Sequence, residues 1–359
     1  MDIYHLSHTD LDGYGAQIIS KACFQKNGSK IYFSNANYGR EVEIKLIDII
    51  NRIKKSNNSQ FLILITDLNL TPSEAAFLQN EVNLLNLSNK NIKLQLLDHH
   101  ITGKECANNY DWYYLDPSIC ATKLTFNFLA KNFDFRDEFL EIFSEMVNAA
   151  DTWREDNKYF QFGKVAMNMI SQSREFNRFM FDNFDRDFKF NLLEKAGAYF
   201  LDSNNNLIPN GHIELDNNIF LMKKIILNGD ALSKTMDDIL STKLVSLLNE
   251  NKENYTIYFN DKKGLLTYMV GNISNLANAF LSTCKDYDFF MDLSSRGAVS
   301  LRSCDRCDVS EICKLCFSGG GHKNAAGGRF DGFKETFLYS LAKEQVVNFL
   351  SSKEKINGI

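Results

Sequence analysis

The sequence predicts an α/β protein: a parallel-sheet domain with helices on both faces, followed by a smaller mixed α/β domain. Three observations lead there. In the first half, apolar β-rich runs alternate with helical patterns, the order that a helix-covered parallel sheet requires. At 359 residues the chain exceeds what one hydrophobic core usually supports. Near residues 185–215 the pattern breaks into LDSNNNLIPNGHIELDNN, rich in Asn, Asp, Pro and Gly.

DIYHLSH, KIYFSNA, FLILITDLNL and IKLQLLDHH read as strands, with helices near 39–55 and 72–87 between them. The second helix carries its own start signal: Thr71 at the N-cap, Pro72 at the first helical position and Glu74 at N3. Two to four mostly helical segments follow, to about residue 202. Among them, REFNRFMFDNFDRDFKFNLL at 174–193 interleaves aromatic and basic residues, as a base-stacking platform does. The four-residue recurrence of Phe176, Met180, Phe184 and Phe188 favours a core-facing helix stripe instead. Residues 1–190 are assigned to the first domain, 191–230 to a helical or loop linker and 231–359 to the second. There YTIYFN, GLLTYMVG, YDFFMDLS and GAVSLRS read as strands and NLANAFLSTC as a helix.

Composition narrows the class of protein. With 44% hydrophobic and 24% charged residues and no low-complexity run, the chain reads as globular. A net charge of -5 argues against holding long nucleic acid mainly by neutralising phosphates. The start lacks a secretory pattern and no apolar run is long enough to span a bilayer, so no membrane partner and a cytoplasmic location are expected. Eight cysteines in such a chain read as reduced thiols or metal ligands rather than a disulfide framework.

The chemistry gathers at strand ends. In SHTDLDG, His8, Asp10 and Asp12 fall at every second position, so an extended segment would present all three on one face. A turn capped by His8 and Asp10 is the bland alternative. The third strand ends at Asp67 and the fourth at Asp98, His99 and His100. In open parallel sheets ligands bind outside the carboxyl ends of the strands, so three such endings point at one crevice. Without compensation, that many charges on one edge would be costly.

SHTDLDG, Asp67 and the DHH of residues 98–100 resemble the first three motifs of the DHH phosphoesterase family, and Asp151 in VNAADTWRED matches the fourth. AVSLRS at 298–303 and GGGHKNAAGG at 319–328 resemble the DHHA1 domain that accompanies one branch, so the resemblance covers nearly the whole chain. It implies two Mn²⁺ or Mg²⁺ ions: one on His8 and Asp10, the other on Asp12, His99 and Asp151, with Asp67 bridging. Carboxylates with a minority of imidazoles suit those ions. His100 would sit beside the substrate phosphate and Asp98 would orient a ligand, making Asp67, Asp98 and His100 the catalytic set. Arg302, Ser303, Gly319, Gly320, Gly321 and His322 would bind substrate, the glycines by letting backbone amides approach an anion.

The activity implied is hydrolysis of short single-stranded RNA or DNA oligonucleotides, or linear dinucleotides, to 5′-mononucleotides by water that two metals activate, as in nanoRNases. A RecJ-like single-strand exonuclease is the rival in the same class, and a nucleotide-binding metal or redox sensor the rival in another. The oligomeric state is left open, a homodimer being one option. Cys304, Cys307, Cys313 and Cys316 form two CxxC pairs that could hold one structural Zn²⁺. DVSEICKLC also reads as a helix whose small residues simply pack.

Overall fold

The computed structural model describes residues 1–26, 28–228, 233–271 and 273–356, without the side chains of 228 and 354–356. The expected boundary at residue 230 lies outside the described residues. Two compact units emerge: residues 1–173 with 186–219, and residues 174–185 with 220–359. The excursion of 174–185 into the second unit is something no single boundary in sequence can express.

The first unit opens with β1 (Asp2–Ser7), α1 (Leu11–Lys26), β2 (Lys30–Asn35), α2 (Arg40–Lys55), β3 (Gln60–Thr66), α3 (Pro72–Leu87) and β4 (Asn91–Asp98). It continues with α4 (Lys104–Asn109), β5 (Tyr113–Leu115), α5 (Ala121–Phe133), α6 (Glu138–Asp151) and α7 (Phe160–Ser171). All five strands run parallel in the order β2-β1-β3-β4-β5. Alternate residues of the central strands, Tyr4, Leu6, Phe61, Ile63 and Ile65, pack with Val42, Leu46, Ile50, Leu78 and Val82 of α2 and α3. Helices α1, α5, α6 and α7 pack in sequence along one another. Covered on both faces, β1 is buried at every residue and β3 reads as a continuous apolar run rather than an alternating one. The α3 capping box forms as its sequence dictates: Glu74 N donates to Thr71 Oγ1, and Thr71 N donates to Glu74 Oε2 at 2.8 Å.

Helix α8 (Arg178–Phe200) departs from expectation. Phe181 takes non-helical angles (φ -129, ψ 43), which breaks the phase of the aromatic stripe. Phe176 precedes the helix and Phe184 is 37% exposed, so no single face carries all four residues to a core. Helix α9 (Gly211–Asn228) follows.

The second unit contains α10 (Met236–Glu250), α11 (Lys252–Tyr255), β6 (Thr256–Phe259), β7 (Lys262–Tyr268), α12 (Ser274–Thr283), β8 (Phe289–Leu293) and β9 (Ala298–Ser303). It ends with α13 (Val309–Cys316), β10 (Gly320–His322), β11 (Ala325–Arg329) and α14 (Tyr339–Ile356). Its sheet is mixed, in the order β10-β11-β9-β8-β7-β6, with only β7 and β8 parallel. The core lies between this sheet and α13 and α14, where Val309, Ile312, Cys313, Val346 and Leu350 meet Met291, Val299 and Leu301. The hairpin β10–β11 falls in the glycine-rich stretch, which lacks the branched and aromatic residues that announce a strand. Among the described residues, no helix is long and apolar enough to cross a membrane.

Candidate metal centre

His8, Asp10 and Asp12 do not converge on one face of an extended segment. Strand β1 ends at Ser7, and Asp12 lies inside the first turn of α1. The reason is local: the Asp10 carboxylate accepts a hydrogen bond from Gly13 N at 3.0 Å, the bond an N-cap residue makes. Gly13 is required because a Cβ there would collide with the backbone of His8. The helix thus doubles back tightly enough to bring Asp12 beneath the strand ends.

Asp12 is wholly buried and sits against the start of α5, where Ala121 N donates to Oδ2 and Thr122 N to Oδ1, each at 2.7 Å. Two amides at a helix N-terminus stabilise the anion without cancelling its charge. From β3, Asp67 follows Thr66 at φ 57, a left-handed conformation that Asp tolerates better than most residues. Its carboxylate is 2% exposed, and its Oδ2 has no hydrogen-bond partner. Asp151, at the end of α6, likewise has an unpartnered buried Oδ2.

These carboxylates surround two imidazoles. His8 Nδ1 lies 2.9 Å from Asp10 Oδ2 and 3.7 Å from Asp67 Oδ2. His99 Nε2 lies 3.4 Å from Asp67 Oδ1, 3.6 Å from Asp151 Oδ2 and 3.7 Å from Asp12 Oδ2. Three groups of ligand atoms each fit within 4.8 Å: His8, Asp10 and Asp67; Asp12, His99 and Asp151; and Asp67, His99 and His100. Two orphaned carboxylate oxygens facing imidazoles fit divalent cations that take hard, oxygen-rich ligands.

The electrostatics carry the same signature. Burial raises the Asp67 pKa well above the ordinary carboxylate range, with Asp10 and Asp12 adding repulsion. Burial and then Asp12 push Asp151 up to about 7. Burial opposes charge on His8, yet the Asp10 carboxylate bonded to it and the nearby Asp67 carboxylate prevail and raise it to about 10. Beneath the site, His5 is buried between Ser20 Oγ at 2.7 Å and Thr66 Oγ1 at 2.8 Å, and burial lowers its pKa to about 3. It is a neutral brace under Asp67, not a ligand.

At the rim, His100 Nδ1 lies 2.7 Å from Oδ1 of the buried Asp98, whose Oδ2 accepts from the Tyr113 hydroxyl at 2.8 Å. A carboxylate only accepts, so Nδ1 carries the proton and Nε2 is the free nitrogen. Sequence reasoning missed Tyr38, whose ring centroid lies 5.1 Å from that of His8 and whose hydroxyl reaches His100. Its one signal is position, in the loop after the carboxyl end of β2. Burial, with Asp67 next, raises its pKa and keeps it a donor.

In the second unit, His322, Ala325 and Arg302 are register partners across β10, β11 and β9. Paired residues share a face, so His322 and Arg302 flank the small Ala325, roughly 10 Å apart. Ser303 points the other way, is 7% exposed and spends its hydroxyl on the Asp288 carbonyl at 2.8 Å, so it has no donor left for a substrate. Gly319 is needed because a Cβ would strike Gly327 O, and Gly321 has φ 147. Both serve the hairpin itself; only at Gly320 is the space open.

The four paired cysteines do not assemble. Cys313 and Cys316 are buried in the apolar core on α13, while Cys304 and Cys307 are half-buried, and none belongs to a described ligand group. Cys313→Ser is expected to cost about 1–3 kcal/mol by placing a hydroxyl among apolar groups. Cys304→Ser should stay within about 0.5 kcal/mol. Equal large losses in thermal melts, with zinc in the purified protein, would restore the four-thiolate site.

No family model matches the chain. A 3′,5′-cyclic-nucleotide phosphodiesterase of Helicobacter pylori (strain ATCC 700392 / 26695) is 47% identical over 350 residues, 96% of this chain and 98% of that protein. The crystal structure of an uncharacterized protein from Helicobacter pylori G27 superposes with a TM-score of 0.89 at 46% identity, covering 98% of this chain and 99% of that one. Oligoribonuclease NrnB of Bacillus subtilis (strain 168) is 28% identical over 204 residues, 51% of this chain and 48% of NrnB. With its strand-end Asp and His residues gathered as described and a relative this similar along nearly its whole length, the chain belongs to the DHH phosphoesterase family.

Proposed function

We propose that this chain is a metal-dependent phosphodiesterase of small nucleotides that cleaves P–O3′ bonds to release 5′-mononucleotides. The observation that carries the reading is the set of overlapping ligand groups, two of them containing Asp67, with unpartnered carboxylate oxygens inside. His8 and Asp10 would hold one Mn²⁺ or Mg²⁺, and Asp12, His99 and Asp151 the other, with Asp67 near both. When bound, such ions acidify a water and neutralise charge on the phosphoryl oxygens. Asp98 fixes the His100 tautomer so that Nε2 is free for the substrate. Arg302 and His322 offer positive or donor groups on one sheet face for a substrate phosphate or terminus.

The 47% identical relative favours 3′,5′-cyclic nucleotides as substrates. The 28% likeness to an oligoribonuclease favours linear oligonucleotides of two to five residues as well. Both readings break the same bond, with water becoming the new phosphate oxygen and O3′ leaving as a hydroxyl. A nucleobase would find an aromatic surface at hand: Trp153, two residues beyond Asp151, is 57% exposed and stacks edge-on with Phe160.

The test is a product time course with Mn²⁺ on cyclic AMP, a dinucleotide ladder up to five residues, and a long single strand. Rapid conversion of cyclic AMP and short species to 5′-mononucleotides supports the proposal. Preference for the long strand would replace it with a processive exonuclease, and 3′-mononucleotide products would refute the P–O3′ assignment.

A further inference from the structure

We propose that the Tyr38 hydroxyl is a further catalytic group of this centre, donating a hydrogen bond to a non-bridging oxygen of the substrate phosphate. The proposal rests on the phosphodiesterase reading above and adds a residue outside its motifs. Tyr38 lies in the loop between the edge strand β2 and α2, at the carboxyl end of the sheet. The residue is 43% exposed, yet its hydroxyl reaches groups of the centre. It lies 3.2 Å from His100 Nε2, 3.3 Å from His100 Nδ1 and 3.5 Å from the carbonyl oxygen of Asp67. One phenol therefore borders His8, Asp67 and His100 at once.

The lengths decide what the hydroxyl is doing. Committed O–H···O bonds cluster near about 2.7–2.8 Å. In the same centre Tyr113 makes one to Asp98 at 2.8 Å. Every Tyr38 contact is longer: the hydroxyl reaches His100 Nε2, the nitrogen left free to accept, at 3.2 Å and the Asp67 carbonyl at 3.5 Å. His100 Nδ1 is in any case engaged by Asp98 at 2.7 Å. The centre thus holds a donor kept only by long hydrogen bonds.

An anionic phosphate oxygen would be a better acceptor than either of those partners, because charge-assisted bonds are the stronger kind. The non-bridging oxygens gain charge as water attacks, so a donor already in place contributes more in the transition state than in the ground state. The loop is anchored for this. Thr9 Oγ1 donates to Asn37 Oδ1 at 2.5 Å, and Asn37 N donates to Glu41 Oε2 at 2.9 Å. On the other side Gly39 turns the chain at φ 88.

A purely structural Tyr38 would act through its ring, which packs beside His8. Tyr38→Phe keeps the ring and removes only the donor, so it separates the two roles. With the full chain loaded with Mn²⁺, cyclic AMP and bis(p-nitrophenyl) phosphate are the substrates, and Mn²⁺ binding is followed by calorimetry. The expected result is a kcat lower by about 10- to 100-fold with KM within about threefold of wild type. Mn²⁺ affinity and melting temperature stay unchanged. A kcat equal to wild type overturns the proposal, and so does a loss of Mn²⁺ affinity that accounts for the lost rate. A wild-type chain inactive on both substrates would overturn the phosphodiesterase reading and the role of Tyr38 with it, whereas an active wild type matched by Tyr38→Phe removes only Tyr38.

Discussion

Asp67→Asn is expected to lower turnover of any phosphodiester substrate by at least about a thousandfold while making the metal-free protein more stable. Asp67 belongs to two of the three ligand groups, more than any other carboxylate, so its charge is the one an ion there would need most. Without ions that charge is a liability: the carboxylate is buried, one oxygen has no partner, and Asp10 and Asp12 repel it. A folded-state pKa raised above the unfolded value means that ionised Asp67 weakens the fold at neutral pH. Asparagine has the same shape, no charge, and the same tolerance of the left-handed backbone at φ 57. Alanine would confuse the test, because it is strained there.

A gain of about 1 kcal/mol would appear in scanning calorimetry as a rise of about 2–4 °C in the chelated protein. Added Mn²⁺ should then raise the wild-type melting temperature much more than that of the variant. Turnover within tenfold of wild type would remove Asp67 from the centre. A chelated variant that melts lower than wild type would contradict the account of its charge.

The sequence made the sheet legible because strands buried on both faces must be continuously apolar, as FLILI is, and because helices such as α3 announce their own caps. It made the strand-end residues legible because the carboxyl edge of a parallel sheet is where ligands gather. It hid α1, whose first turns contain Asp12, Gly13 and Gly15, residues that read as a turn. Those glycines are explained only by contacts distant in sequence or across the backbone: Gly13 against His8, and Gly15 against the Thr122 side chain. Tyr38 was hidden for a similar reason, since a lone aromatic in a loop carries no period. Ser303 and the glycine hairpin carry packing duties that the sequence does not announce. There the residue types suit anion binding, but the structure spends the Ser303 hydroxyl and two of the glycines on its own packing.

Metal binding is expected to expel protons, so Mn²⁺ affinity should rise steeply with pH. In the metal-free protein His8, with a pKa of about 10, carries a proton throughout the neutral range, and Asp151, at about 7, is half-protonated near neutrality. An imidazole or carboxylate must lose its proton before it can ligate. Between pH 6 and 7 both residues release protons on binding, and the apparent constant should climb by more than about tenfold per pH unit. Above pH 7 the Asp151 contribution fades while those of His8 and Asp67 persist, and the slope should relax but stay positive. Stability moves with it: raised carboxyl pKa values at Asp67 and Asp151 favour the metal-free fold at low pH and weaken it as pH rises. The melting-temperature gap between Mn²⁺-loaded and chelated protein should therefore widen from pH 6 to pH 8. Calorimetric titrations at both pH values, in buffers of different ionisation enthalpy, count the protons directly. Affinity flat in pH, or heats independent of buffer, would mean that His8 and Asp151 are not displaced from their protons by an ion, and the ligand assignment would have to be redrawn around the remaining residues.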